Sequence, residues 1–298
     1  MRAFLGTCFN AVEASAPRAE PLRLAAVLAL AVTFPLEALG QERARVAQDT
    51  LVVNDPEVAG LGKWKVGGAL EYWYVRTTTN VPQGSGTTLL TFKEPGGNAF
   101  AGYDNFTFQY TQRNGEGHFD TSANGLITTN QELKVVNKEV TLRWVARDFS
   151  TGFVTPYLIA GYAWIDSKAD VALTSGIGGC TGTASYRRES SYTAPLLGIG
   201  GIFPVTETMG ARLDARYKRY HIDTHTLGAC PEVSANGDGG DLTATGYYLM
   251  TPEWSFQMGV KYQTIPGGAI QNAPGFVVMG NRSGRIGAFG MLGYSHEF

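Results

Sequence analysis

The amino-acid sequence predicts an all-β fold: a closed antiparallel transmembrane β-barrel of about ten strands, with short turns at one end and long loops at the other. Three observations lead there. Segments of about ten residues alternate apolar and polar side chains with period two, the repeat of a strand whose faces meet unlike surroundings. Clusters of Gly, Ser, Thr and Asn separate them. The composition also fits, with 38 Gly, 11% aromatic and 17% charged residues and a mean hydropathy of −0.09. That is too polar for membrane helices, yet richer in glycine and poorer in charge than most soluble enzymes. A formal net charge of −2 gives no electrostatic reason to expect a nucleic-acid partner.

Residues 1–40 read as a cleaved leader and signal peptide. Arg18 and Arg23 precede the apolar run Leu24–Phe34, and Ala38 and Gly40 are small residues at −3 and −1 before Gln41. The run is shorter than the roughly 20 apolar residues of a spanning helix, and Pro35 ends it. Met1–Pro21 make a long leader, leaving a later translation start open. Residues 41–62 are then expected as a short periplasmic segment, and 63–298 as the barrel.

Within 63–298 the faces divide strand by strand. Trp64, Val66, Gly68, Leu70, Tyr72 and Tyr74 alternate with Lys65 and Glu71. A segment Phe100–Thr111 sets Phe106, Phe108 and Tyr110 against Asn105, Thr107, Gln109 and Thr111, and a weak return strand follows near Gly117–Ile127. Val140, Leu142, Trp144 and Ala146 oppose Glu139, Thr141, Arg143 and Arg147. Thr155–Asp166, Tyr186–Phe203 and Asp241–Met250 read as strands in which glycine blurs the faces. Ala211, Leu213, Ala215 and Tyr217 oppose Arg212, Asp214, Arg216 and Lys218. The alternation is cleanest where Trp254, Phe256, Met258, Val260 and Tyr262 oppose Ser255, Gln257, Gly259, Lys261 and Gln263. A one-residue slip there would put Lys261 into lipid, so the register is firmly set. The closing strand, Arg285–Phe298, turns Ile286, Ala288, Gly290, Leu292, Tyr294, His296 and Phe298 to one side. This gives ten strands, with eight and a long hairpin-bearing first loop as the alternative.

Turn lengths orient the barrel. Connections near Ser150–Gly152, Pro204–Thr208 and Thr251–Pro252 are short, whereas Thr78–Asn98, Ala169–Ser185, Thr224–Gly240 and Pro266–Ser283 read as long loops. Short turns belong to the periplasmic rim and long loops to the outside. Cys180 and Cys230 then fall in extracellular loops, and two thiols in an oxidising compartment read as a disulfide. A metal pair is less well supported, because neither has a second thiol or histidine nearby.

The motifs GYSHEF, PEWSFQMGVKYQ and FPVTETMGARLDARYKRY resemble those of small bacterial outer-membrane barrels, of the opacity-protein and OmpA-like transmembrane-domain superfamily, over about Gly62–Phe298. His296 stands where that family commonly has an aromatic. The resemblance implies a place in the bacterial outer membrane and contact with its lipid and lipopolysaccharide. It also implies insertion by the barrel-assembly machinery, with Leu292, Tyr294, His296 and Phe298 as the C-terminal assembly signal.

The expected lumen lining is Lys65, Glu71, Glu139, Arg143, Arg147, Arg212, Asp214, Arg216, Lys218 and Lys261. Mixed signs in so narrow a barrel favour ion pairs that fill it. No catalytic or metal site and no cofactor is expected. His221-Ile-Asp223-Thr-His225 resembles half of an omptin protease site, but the paired Asp-x-Asp is missing and alternation turns His221 outward. The sequence likewise lacks a deacylase His-x-Ser, a Gly-x-Ser-x-Gly elbow and a phosphate loop. The glycine pairs Gly96–Gly97 and Gly239–Gly240 read as loop punctuation. The expected role is a surface-exposed structural or interaction scaffold, with loops available to a host or surface ligand. A small porin-like channel is the alternative, and an omptin-like protease the remote one.

Overall fold

The computed structural model describes residues 54–80, 87–123, 127–173, 185–227, 230–266, 269–273, 276–279 and 283–298. The expected leader, 1–40, lies outside the described residues, as does Cys180 and with it the expected disulfide. No helix among the described residues is long and apolar enough to cross a membrane.

In chain order the strands are β1 (Trp64–Asn80), β2 (Thr87–Tyr103), β3 (Phe106–Ala123), β4 (Ile127–Val145), β5 (Thr155–Leu173), β6 (Ser185–Pro204), β7 (Met209–Leu227), β8 (Cys230–Leu249), β9 (Trp254–Ile265), β10 (Ala269–Ala273), β11 (Phe276–Met279) and β12 (Ser283–Glu297). Ten of them close an antiparallel barrel in the order β1-β12-β9-β8-β7-β6-β5-β4-β3-β2. Closure runs from Lys65 opposite Glu297 to Thr79 opposite Ser283. It is locked at the rim by reciprocal backbone hydrogen bonds of 2.9 Å between Trp64 and Phe298. β10 and β11 form a separate hairpin lying against β8 and β7.

The rim carrying the described N-terminal residues and Phe298 has tight turns, each with a local chemical cause. Asp104 and Asn105 join β2 to β3, with Asp104 at φ 54°, a left-handed conformation that Asp and Asn tolerate. Between β6 and β7 the Thr206 hydroxyl accepts hydrogen bonds from the amides of Thr208 and Met209. Thr251 does the same for Glu253 and Trp254 between β8 and β9. A 3-10 turn, Arg147–Phe149, leads from β4 towards β5.

Strands β1 to β8 are 17 to 20 residues long. Spanning takes only about 9–11 residues. Several stretches expected as loops are therefore strand. Thr87–Tyr103 occupies most of the expected Thr78–Asn98 loop, and the expected strand Phe100–Thr111 straddles the Asp104 turn. The Gly117–Ile127 stretch is largely the upper end of β3 instead of a return strand. Thr224–Gly240 is mostly the paired ends of β7 and β8, so Cys230 starts a strand. The count of ten holds because these two misplacements compensate. Gly96 and Gly240 also lie in strands, where an added Cβ would collide with the carbonyls of Gln112 and Arg216.

Candidate functional site

Strand alternation places two unlike surfaces on the same wall. On the outer surface, Trp64, Tyr103, Phe106, Tyr248, Trp254 and Tyr294 ring the short-turn end, all exposed. Trp64 packs at a tilt against Tyr103 at 4.8 Å between ring centroids, and Trp254 meets Tyr294 edge-on at 5.2 Å. Higher up, Tyr74, Tyr110, Trp164, Tyr217 and Tyr262 form a second exposed ring. Between the rings the outward residues are Leu70, Phe108, Leu142, Leu158, Leu197, Ile199, Leu213, Phe256, Met258, Val260 and Leu292. From Trp254 to Tyr262 the chain rises about 27 Å along the strand, and the tilt of a barrel strand brings this close to the ~25 Å apolar band of such proteins. Above the second ring the outward positions turn polar, with Asn114 and Glu116 on β3, Asp166, Lys168 and Asp170 on β5, and Arg219 and His221 on β7. A continuous apolar belt between two aromatic rings, on a closed barrel with short turns at one rim, is a membrane-crossing surface. The chain is an outer-membrane β-barrel. Its short-turn rim is periplasmic and its polar upper wall stands outside the cell.

The interior is filled in tiers. At membrane level Lys218 reaches both Glu139 (2.7 Å) and Asp241 (2.8 Å), and Lys261 reaches Asp241 at 3.0 Å. Arg216 pairs with Glu139 and, at 2.8 Å, with Asp214. Arg113 approaches Glu71 at 3.5 Å and lies over the Trp73 ring at 4.9 Å. Each charge thus has an opposite neighbour, which is what burial of charge requires. Above this tier Val135, Ile165, Ala194, Tyr220, Ile222 and Ile265 form an apolar cluster against Leu133 and Tyr192. Nearby, Glu94 accepts a 3.0 Å hydrogen bond from Asn137 and faces Arg285 at 3.5 Å.

The periplasmic mouth is crossed by residues 54–60, a strap belonging to the same compact unit as the barrel. Residues 41–62 are expected as a short periplasmic segment, and of its described residues Asp55, Glu57, Val58 and Ala59 are buried at the barrel mouth. Asp55-Pro56-Glu57-Val58 forms a turn in which the Val58 amide donates to the Asp55 carbonyl (3.2 Å) and the Glu57 amide to the Asp55 side chain (2.8 Å). The Glu57 carboxylate sits between Arg212 (2.6 Å) and Arg143 (3.2 Å), and Asp55 lies 3.4 Å from Arg212. Burial alone would raise the Glu57 pKa, but the two guanidiniums and their hydrogen bonds outweigh it and hold the carboxyl at about 2. Thr107 donates to the Glu57 carbonyl, Lys65 to those of Asp55 and Val58, and Arg147 to that of Ala59. Val58 packs with Val145, Tyr157, Ile159, Leu196, Ile202 and Tyr247. Asn54 ties one end to Thr206 and Tyr247, and Glu297 ties the other at Gly60 and Lys63.

Of the expected lining, Glu71, Glu139, Arg143, Arg212, Asp214, Arg216, Lys218 and Lys261 point inward and take part in these tiers. Lys65 and Arg147 serve the strap at the mouth, Arg147 from the 3-10 turn after β4 ends. Ala146, expected on the outer face, is buried because the chain has already left the strand. Sequence reasoning missed Asp55, Glu57, Glu94, Arg113 and Asp241, which complete the network. Leu292, Tyr294, His296 and Phe298 share the outer face of the closing strand. His221 faces outward, 3.5 Å from Asp223 and hydrogen-bonded to Asn236, with Asp223 accepting from Ser234. Among the described residues no group of three His, Cys, Asp or Glu side chains is placed to hold a metal.

No protein-family model and no curated protein matches the chain. Among solved structures it is similar to the outer membrane protease OmpT from Escherichia coli, with 8% identity over 78% of this chain and 97% of that one, and a TM-score of 0.48. It is also similar to the translocator domain of the autotransporter NalP from Neisseria meningitidis, with 12% identity over 91% and 96% and a TM-score of 0.47. Neisserial surface protein A shares 14% identity over 76% and 95%, with a TM-score of 0.31. These are likenesses of barrel shape. The membrane placement rests on the belt and the closed register.

Proposed function

We propose that the protein is a closed scaffold that carries its extracellular wall and loops to partners at the cell surface, without conducting solutes and without catalysis. The observation that supports this reading is the filled interior. The strap crosses the mouth, the ion-pair tier crosses the membrane-level lumen, and the apolar cluster lies above both. Ten-strand barrels are narrow enough for side chains to fill. Partners on this reading are outer-membrane lipid and lipopolysaccharide around the belt, the assembly machinery at the closing strand, and a host or surface ligand at the loops.

Planar-bilayer recording of the refolded protein tests it. A silent bilayer is the expected result, and steady single-channel steps from unmodified protein would replace the scaffold with the porin-like reading. A peptide-cleavage assay tests the non-catalytic part. Cleavage that disappears in Asp223→Asn would reinstate the protease, and no cleavage by the wild type is expected.

A further inference from the structure

The strap touches the barrel as a ligand touches a receptor. Its recognised groups come from one short turn, and the groups that hold them come from strands well separated in sequence. Arg143 on β4 and Arg212 on β7 are 6% and 4% exposed, and both donate to the one Glu57 carboxylate. The donor set is larger than Glu57 uses. Arg143 Nε and Nη1 and the Gln257 amide nitrogen are buried without a hydrogen-bond partner; the Arg143 guanidinium lies 5.1 Å over the Tyr157 ring, and the Gln257 side-chain oxygen accepts from Arg212. Val58 shares a buried apolar cluster with Tyr157, Ile159, Ile202 and Tyr247. The strap adds no strand to the barrel, so its departure would break no barrel ladder. What it would leave is a basic, apolar-walled vestibule, closed above by the ion-pair tier.

We infer that this vestibule is a periplasm-facing receptor for an acidic peptide segment, a carboxylate followed by a branched aliphatic residue, and that residues 54–60 occupy it in cis. The two arginines bind the carboxylate and the apolar wall sets the preference for the next side chain. Selectivity for charge follows from the arginines, because a neutral amide at the Glu57 position leaves the buried Arg143 guanidinium without its anion and Arg212 with Asp55 alone.

The test empties the site and supplies the occupant from outside. The full mature barrel carrying Asp55→Asn, Glu57→Gln and Val58→Ser is refolded in detergent, with heat-modifiable migration on gels as the check of folding. The probe is a fluorescent peptide of the strap sequence, NDPEVAG. The variant is expected to bind it at least roughly tenfold more tightly than wild-type barrel does. Replacing the peptide's glutamate by glutamine, or adding Arg143→Gln to the barrel, is expected to weaken binding by at least roughly tenfold, the equivalent of one charge-assisted hydrogen bond. A folded variant that ignores the peptide, or binds the glutamine peptide equally well, overturns the inference.

Should the triple variant fail to fold, Glu57→Ala supplies the second arm. Propionate is expected to restore much of its lost thermal stability, and propionamide to restore none. No response to propionate, or an equal response to both, overturns the inference as well. Neither arm depends on conductance, so this site and the scaffold reading can fail separately.

Discussion

Between the two aromatic rings the barrel wall turns Met258 and Val260 outward and Gln257 and Lys261 inward. A few residues above the upper ring the same kind of strand does the reverse, with Arg219 and His221 outward and Tyr220 and Ile222 inward. The backbone is continuous through the change, so what differs is the solvent. Lipid outside the lower wall rewards apolar side chains there and gives none of the usual drive to bury them inside. Water outside the upper wall restores that drive, and Val135, Ile165, Tyr220, Ile222 and Ile265 collect in the interior as they would in a soluble barrel. The lower half therefore combines a tier of ion pairs with apolar clusters beside it, whereas the upper interior is largely a hydrophobic core.

That difference can be broken from either side. Lys218→Met should have the largest effect, because Lys218 is the shared partner of Glu139 and Asp241 in the lower tier. Removing it leaves Glu139 paired with Arg216 and Asp241 with Lys261 but takes one buried positive charge from the tier, at a cost of about 3–5 kcal/mol. Equilibrium unfolding in urea from lipid or detergent would measure it. Ile222→Ala, in the upper tier, should cost about 2–4 kcal/mol through lost burial and the cavity left behind. If the two halves are stabilised as described, cavity-filling apolar ligands such as benzene should protect Ile222→Ala and leave Lys218→Met unchanged.

The strap belongs to the lower half and shares its dependence on charge. Glu57 has its pKa depressed from 4.5 to about 2 by Arg212 and Arg143 acting against burial. A depressed carboxyl contributes stability that is present above the unfolded value and lost as pH falls through the folded one. Strap docking should therefore hold above about pH 4.5 and weaken steadily towards pH 2. Amide hydrogen exchange at Glu57 and Val58, corrected for intrinsic rates, should accelerate over that window while Tyr220 and Ile222 keep their protection. Equal loss in both places would mean that the tiers do not respond separately.

The same contrast explains what could be read from the sequence. β9 and the lower half of β7 were legible because lipid-facing and lumen-facing residues differ sharply there. The upper half of β7 has polar residues outward and a mixed interior, so Thr224 onward resembled a loop. β2 offered least of all. Lys93 and Pro95 face out, Glu94 faces in, and Gly96 and Gly97 follow, which leaves no apolar face to detect. The strap carried no periodicity, yet a signal existed. Arg143, Arg147, Arg212, Arg216, Lys65, Lys218 and Lys261 outnumber Glu71, Glu139 and Asp214 in the expected lining, so further carboxylates had to come from elsewhere. Asp55 and Glu57, in a proline turn just before the first strand, supply two of them, and Asp241 and Glu94 two more.

The boundary between the halves can be located with two lysines. Val260 lies outward in the middle of the apolar belt, and Asn114 lies outward above the Tyr110 ring, each on a regular strand. Val260→Lys should cost about 2–4 kcal/mol, the range for a lysine near the bilayer midplane. Asn114→Lys should change stability by less than about 0.5 kcal/mol, as a polar exchange on a wetted surface. Because both variants add one positive charge to the outer wall, a general charge effect would move them together. Only a membrane edge between the Tyr110 ring and Asn114 separates them. A cost at Asn114 approaching that at Val260 would raise the edge and put the polar outer wall of β3 in the headgroup region.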